Sequence, residues 1–393
     1  MRRIPSRIPS LDGLRAISIS LVVVGHWAEL RYHSDVAGAF ANLGVRIFFV
    51  ISGYLITTLL LKEHSRTATI GLQEFYVRRA YRILPAAFVF MAVVFAMYWR
   101  ELRWYHMAAA ALYVANFDFA HPWFLGHLWS LSVEEQFYFL WPGVLRKWYQ
   151  HRVGILAGVI AFAPAYRVAC HLLGLHGKAD ETFPAVADVL AVGCLLAVAE
   201  ARIRNPHFWQ NRPEVGHPAV ASNGDSHVSQ NRRDVGHPQH PQLKIPTLSR
   251  TNRETRVGQP RRFEISRVWA ALMILPMGLV PVYVGWLHFH ITAVLLLVLW
   301  PVMHLSIAGL LLHVVQRPYA WLNARPVVWL GKISYSLYLW QQLFVFGTHA
   351  RPAYGVLLAL AMAGASYYLV ESPMLRMRER AAERRRMALA VAA

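Results

Sequence analysis

Apolar runs of about 20 residues recur along this chain, each long enough to cross roughly 30 Å of hydrocarbon as a helix. They fall near 13–30, 41–61, 83–98, 127–145, 153–173, 184–200, 268–285, 291–312, 327–347 and 354–372. Only 16% of the 393 residues are charged and 56% are hydrophobic, whereas soluble globular chains carry about 25% charged residues. Too few polar residues remain to cover two or three soluble domains. The expected fold class is all-α, a polytopic membrane helical bundle with about ten transmembrane helices. The apolar stretch 107–117 is too short to cross and is expected to form a short re-entrant or interfacial segment. Cys170 and Cys194 lie in separate apolar runs, so a free thiol in each is expected rather than a disulfide framework.

The formal charge of +19 would suggest nucleic acid in a soluble protein. In a membrane protein the partition of Lys and Arg between alternate loops matters more. With the N-terminus inside, segments 1–10, 62–82, 146–152, 201–267, 313–325 and 373–393 share one side and hold 31 of the 40 Lys and Arg; the opposite loops hold five. Both termini are therefore expected in the cytoplasm, with no nucleic-acid partner and membrane lipid as the surrounding medium. Arg15, Arg46, Arg167 and Lys332 sit within or at the edge of spans, where a cation is costly unless it faces protein or water. The first run follows Arg2, Arg3 and Arg7 without a small-residue cleavage site, so it is expected to stay in the protein.

Residues 201–265 are rich in Pro, Asn, Gln, His and Arg, a composition that cannot bury enough apolar surface to fold alone. The domain reading is accordingly 1–200 for the first membrane helices, 201–265 for a disordered basic cytoplasmic insert, 266–375 for the last four helices and 376–393 for a basic tail. The insert carries a near-repeat at 210–218 and 230–238. His217, His227, His237 and His240 lack Cys partners or helical spacing, so no metal site is expected. Gly224-Asp225-Ser226 has no flanking strand and helix and is not read as catalytic.

Three polar clusters interrupt the apolar pattern. Arg15 and His26 are 11 residues apart, three turns plus about 20°, so they share one helix face with about 16 Å between them. One end could read an anion while the other does chemistry; Asp12, three residues before Arg15, could equally pair with it to anchor the helix. Arg78, Arg79 and Arg82, spaced three and four apart, form either a bidentate phosphate site or a topogenic cluster. The stretch His127–Tyr138 puts Glu134 and Glu135 in an otherwise aromatic and aliphatic span, with Ser130, Glu134 and Tyr138 on one stripe. A carboxylate near His26 would fix its tautomer and raise its basicity; helix–helix hydrogen bonding is the other reading.

Together these residues resemble the acyltransferase 3 family of integral membrane O-acyltransferases. Leu11-Asp12-Gly13-Leu14-Arg15-Ala16 leading to His26 resembles its Arg-x10-His motif, and Gly44 to Ile56 its second-span signature. Arg79 and Arg82 match its Arg-x-x-Arg motif, and Trp129 to Tyr138 its Ser-Leu-Ser-Val-Glu-Glu-Gln-Phe-Tyr block. Gly331 to Trp340, which includes Tyr335, is also family-like. About 20 residues follow the last expected span, so no SGNH esterase-like domain is expected, and any envelope-side acceptor protein is expected to be separate. This chain has Arg46 where many members have Asp, and Gln341 where many have His.

The resemblance implies acyl transfer in a bacterial inner membrane, from cytoplasmic acyl-CoA, with acetyl-CoA as the expected co-substrate, to a hydroxyl of an envelope saccharide or lipid-linked glycan. His26 would be catalytic, assisted by Glu134 or Glu135. Arg15, Arg79 and Arg82, with Arg78, would bind the acyl-CoA; Asp12, Ser130, Tyr138 and Tyr335 would support. Neither a metal nor a bound cofactor is expected. The rival from another class is a transporter of an anionic or acylated solute that uses Arg15, His26 and Glu134 as a relay.

Overall fold

A computed structural model describes residues 9–175, 180–204, 264–286, 295–347 and 352–392. Contacts divide the chain into one unit of residues 1–201 and 264–393 and a second of 202–263. The expected insert, its near-repeat and its histidines fall outside the described residues except at the segment's two ends.

The described residues are helical, without strands. The helices are α1 (Pro9–Tyr32), α2 (Asp35–Thr67), α3 (Leu72–Tyr98), α4 (Trp104–Ala111), α5 (Leu128–Lys147), α6 (Arg152–Leu172), α7 (Phe183–Arg204), α8 (Arg267–Trp286), α9 (Trp300–Gln316), α10 (Arg325–Lys332), α11 (Ser334–Gly347), α12 (Pro352–Ser366) and α13 (Ser372–Ala392). Eight described helical stretches are long and apolar enough to cross a membrane. They coincide with eight of the ten expected spans.

The other two expected spans differ for separate reasons. The 127–145 run is one continuous 20-residue helix, α5, whose Ser130, Ser132, Glu134, Glu135 and Gln136 make it less apolar than the eight. The 327–347 run is broken. Ile333 (φ −85°, ψ 2°) leaves the helical region and divides it into α10, of 8 residues, and α11, of 14.

The stretch 107–117 is not one helix either. It takes in the end of α4 and a 3₁₀ turn over Ala115–Phe117. Side chains of α5 hold this segment: Ser132 Oγ accepts from Ala115 N at 3.1 Å, and Gln136 Nε2 donates to the Tyr113 carbonyl at 2.9 Å. The basic tail is helical, because α12 passes through a π turn at Tyr367–Glu371 straight into α13.

In a bilayer, helices associate through close packing rather than through exclusion from water, so small residues mark their contacts. A Cβ placed on Gly53 of α2 would lie 2.1 Å from the Leu190 carbonyl oxygen of α7, and one on Gly193 would lie 2.2 Å from that of Val50. No other residue fits this crossing. Cys170 and Cys194 are both buried and unbridged.

The in-span cations Arg46 and Arg167 meet protein. Arg167 forks onto Asp188 at 3.1 and 2.9 Å, and Asp188 lies 3.2 Å from His304 Nδ1. Arg46 reaches His304 Nε2 at 2.9 Å and Asn42 Oδ1 at 2.8 Å, with its guanidinium 3.5 Å above the Trp300 ring. The departure from Asp at position 46 is thus accommodated by a buried network across α2, α6, α7 and α9.

Candidate active site

The two marked residues of α1 line different cavities. Arg15 lines the first, an arginine cavity of about 710 Å³ with its mouth included, together with Arg79 and Arg82 of α3 and Glu134, Glu135, Ser130 and Tyr138 of α5. Tyr335 and Tyr338 of α11 close it, with Val45, Phe48, Phe49 and Ser52 of α2. His26 lines the second, a histidine cavity of about 970 Å³ with its mouth included, beside His121, His127, Trp129, Gln342 and the acidic residues Glu29, Asp35 and Glu181. Val45 and Tyr338 line both and are the wall between them.

The arginine cavity concentrates charge. Its i, i+3 pair Arg79 and Arg82 lies on one face of α3, and the Arg79 guanidinium sits 4.3 Å over the Tyr138 ring. Tyr138 donates to Ser52 Oγ at 3.0 Å, and Ser52 in turn donates to Glu134 Oε1 at 2.5 Å. Glu134 is therefore the end of a hydroxyl chain rather than a partner of His26. Both adjacent glutamates line this one cavity, although a helix turns about 100° between them. Tyr335 donates to the Ile83 carbonyl at 2.9 Å, tying α11 to α3 just past Arg82.

Arg78 points elsewhere. It pairs with Glu74 at 3.0 Å and Glu63 at 3.5 Å and is absent from the cavity wall. Asp12 is buried but lines neither cavity; a Cβ on Gly331 of α10 would meet the Asp12 carbonyl at 1.9 Å, so this part of α1 is fixed by close helix packing.

In the histidine cavity, His26 Nδ1 lies 3.1 Å from Gln341 Oε1. An amide oxygen only accepts, so Nδ1 carries the proton and the neutral ring holds its lone pair on Nε2. At Nδ1 the partner is an amide rather than Glu134 or Glu135. Gln342, next in sequence, accepts from His127 N at 2.9 Å and donates to the Trp123 carbonyl, so it caps the start of α5. Tyr338 OH lies 2.6 Å from Ser130 Oγ and donates to the His127 carbonyl at 3.1 Å, which pins the dividing wall to the same helix end.

Of the sequence candidates, Arg15, Arg79, Arg82, Glu134, Glu135, Ser130, Tyr138 and Tyr335 come together in one cavity, while His26 stands in the other. Sequence reasoning gave no role to Ser52, His127, Tyr338, Gln341 or Gln342. All five lie inside motifs quoted for the resemblance or next to them, which was the available signal. Among the described residues, no group of three or more His, Cys, Asp or Glu is arranged to hold a metal ion.

The sequence model of an acyltransferase domain, acyltransferase 3, matches residues 8–208, which include α1 to α7 and every arginine and glutamate of the first cavity. The chain is similar to the peptidoglycan O-acetyltransferase OatA of Listeria monocytogenes, 34% identical over 221 residues covering 48% of this chain and 33% of that protein. It is likewise similar to the O-acetyltransferase OatA of Staphylococcus aureus strain NCTC 8325, 39% identical over 160 residues covering 36% of this chain and 25% of that protein. Matches of this kind span a third or less of the relatives' own length. No solved structure matches the chain. With the family's own model matched across half of its length, and the motif residues gathered on two neighbouring cavities, this chain belongs to the acyltransferase 3 family.

Proposed function

We propose that this protein is a membrane-embedded O-acetyltransferase that moves an acetyl group from cytoplasmic acetyl-CoA to a hydroxyl of an envelope saccharide. One observation carries the reading: a single helix, α1, presents Arg15 to a cationic cavity and His26, about 16 Å further along, to a neighbouring cavity whose lining, among the described residues, has no Lys or Arg. The arginine cavity takes the donor, because guanidinium groups bind phosphate in bidentate forks. The histidine cavity takes the acceptor.

In this reading ten crossings, with α5 and the α10–α11 pair completing the eight, put both termini in the cytoplasm, as the Lys and Arg partition requires. The 104–117 segment then lies at the outer face. The chain is an inner-membrane protein, with its 201–265 insert and basic tail in the cytoplasm.

The chemistry follows from His26. With Nδ1 donating to Gln341, Nε2 is basic and nucleophilic. In direct attack, the acceptor oxygen bonds the thioester carbon, its proton passes to Nε2, and the C–S electron pair leaves with the coenzyme A thiolate, which then takes a proton. In the covalent route Nε2 bonds the thioester carbon as the C–S electron pair leaves with the thiolate; the acceptor oxygen then bonds that carbon, the C–N electron pair returns to Nε2, and the acceptor proton passes to it. Either way the thioester supplies the activation, and a positioned base contributes roughly 10²–10⁴ in rate; no metal is required, and a chelator leaves activity unchanged. Glu134 acts on the donor side, as the acceptor of the Tyr138–Ser52 hydroxyl chain.

Mass spectrometry of surface glycans tests the proposal, using host cells that lack the gene and are complemented with wild type or an equally expressed His26→Ala variant. An acetyl increment that appears only with wild type is expected. An increment that persists in the variant makes His26 structural. The absence of any glycan change or coenzyme A thiol release returns the chain to the transporter reading.

A further inference from the structure

The histidine cavity contains a second imidazole whose own protein contacts leave it incomplete. His127 is only 2% exposed, yet neither ring nitrogen has a hydrogen-bond partner. The Gln342 amide and the Leu339 main chain approach the ring at the edge of hydrogen-bonding reach, and the Gln342 amide is already engaged by His127 N and the Trp123 carbonyl, so neither nitrogen is fully met. Buried polar atoms in folded proteins are almost always paired, so an imidazole that lines a cavity with its nitrogens unmet calls for a partner from what enters the cavity. Phe90 and Tyr338 pack edge-on against the ring, each with centroids 5.5 Å away, and hold its plane. The main chain around it is fixed as well, since His127 N donates to Gln342 and the His127 carbonyl accepts from Tyr338.

A neutral imidazole offers one donor and one acceptor, the complement of an alcohol hydroxyl, which also offers both. His26 lines the same cavity. We propose that His127 is the acceptor-positioning residue of this enzyme: it hydrogen-bonds the saccharide hydroxyl that is to be acylated and presents its oxygen for attack. The inference rests on the acyl-transfer reading above. His127 forms and breaks no covalent bond in the step. In direct attack the acceptor O–H proton passes to His26 and the C–S electron pair leaves with the thiolate. If His26 carries the acyl group, the acceptor oxygen bonds the acyl carbon, the electron pair of the broken C–N bond returns to Nε2 of His26, and that nitrogen takes the acceptor proton.

The test uses the full chain in the complemented host cells, comparing wild type with His127→Phe, which keeps a flat ring but no polar atom, and with His127→Gln, which keeps a donor and an acceptor. Acyl esters on surface saccharides are counted by mass spectrometry, and coenzyme A affinity is measured on the purified variants. His127→Phe is expected to lower ester content at least ten-fold with coenzyme A affinity within about two-fold of wild type, and His127→Gln to restore esters to within about three-fold. Wild-type ester levels in His127→Phe overturn the inference. So does an equal loss of coenzyme A binding, which would make the ring structural, or a Gln variant no better than Phe. If wild type itself adds no ester, the acyl-transfer reading has failed, an outcome distinct from wild type and His127→Phe adding ester equally.

Discussion

The two cavities along α1 share a wall but not a chemistry. One gathers three arginines, two glutamates and a chain of hydroxyls; the other, among the described residues, has no arginine or lysine and combines three histidines with three carboxylates. The first suits a ligand of high negative charge, and the second suits a neutral, hydroxyl-bearing one. The proposed reaction, which joins a nucleotide-borne group to an alcohol across a membrane, needs this asymmetry, because each substrate must be recognised where it is soluble. Val45 and Tyr338, common to both, are where the two meet.

The largest expected effect tests whether the chemistry belongs to the second cavity. His26→Ala should lower acyl transfer by about 10³-fold or more, in line with loss of a positioned base or nucleophile, while coenzyme A affinity stays near wild type. Loss of coenzyme A binding in this variant would break the division into donor and acceptor sides. The reciprocal experiment is Arg79→Ala with Arg82→Ala. Charge-assisted hydrogen bonds contribute about 1.5–3 kcal/mol each, so the KM for acetyl-CoA should rise about 10- to 100-fold per arginine, steeply with salt, with little change in kcat.

A smaller effect sharpens the role of Gln341. Gln341→Leu removes the acceptor that holds His26 Nδ1–H and should lower kcat about ten-fold, the scale of leaving one buried polar group unmet. Gln341→Glu places a carboxylate there instead, favours the imidazolium, and should move the acidic limb of the pH–rate profile to higher pH. The smallest effect is expected from Arg78→Ala. Its ion pairs with Glu63 and Glu74 lie outside the cavity and are partly exposed, so transfer should stay within about two-fold. A loss comparable to that of Arg79→Ala would show that the cationic mouth is wider than the cavity wall.

Much of this arrangement is legible in the sequence. Arg15 and His26 share a face because 11 residues is close to three turns, and the two cavities along α1 follow that face. Arg79 and Arg82 fall together for the same reason. Neither Glu134 nor Glu135 lines the cavity of His26, a separation the sequence does not show, because periodicity fixes positions along one helix but not the rotation of one helix against another. Ser52 of α2 takes the Glu134 carboxylate, while Gln341, more than 300 residues from His26, takes the imidazole. Likewise Arg46 and Arg167 read only as costly cations until Asp188 and His304 arrive from α7 and α9.

What the chain determines by itself is therefore local and one-dimensional: which segments are apolar and long enough to cross, which side the cations favour, and which polar residues share a stripe. These follow from hydrocarbon thickness and from 3.6 residues per turn. Only the tertiary structure decides that the break at Ile333 divides one expected span, that Tyr338 separates two cavities, and that His127 is buried without a hydrogen-bond partner for its ring. Such features arise where side chains from distant helices meet, and the free energy of a buried polar atom depends on the partner across that contact rather than on its neighbours in sequence.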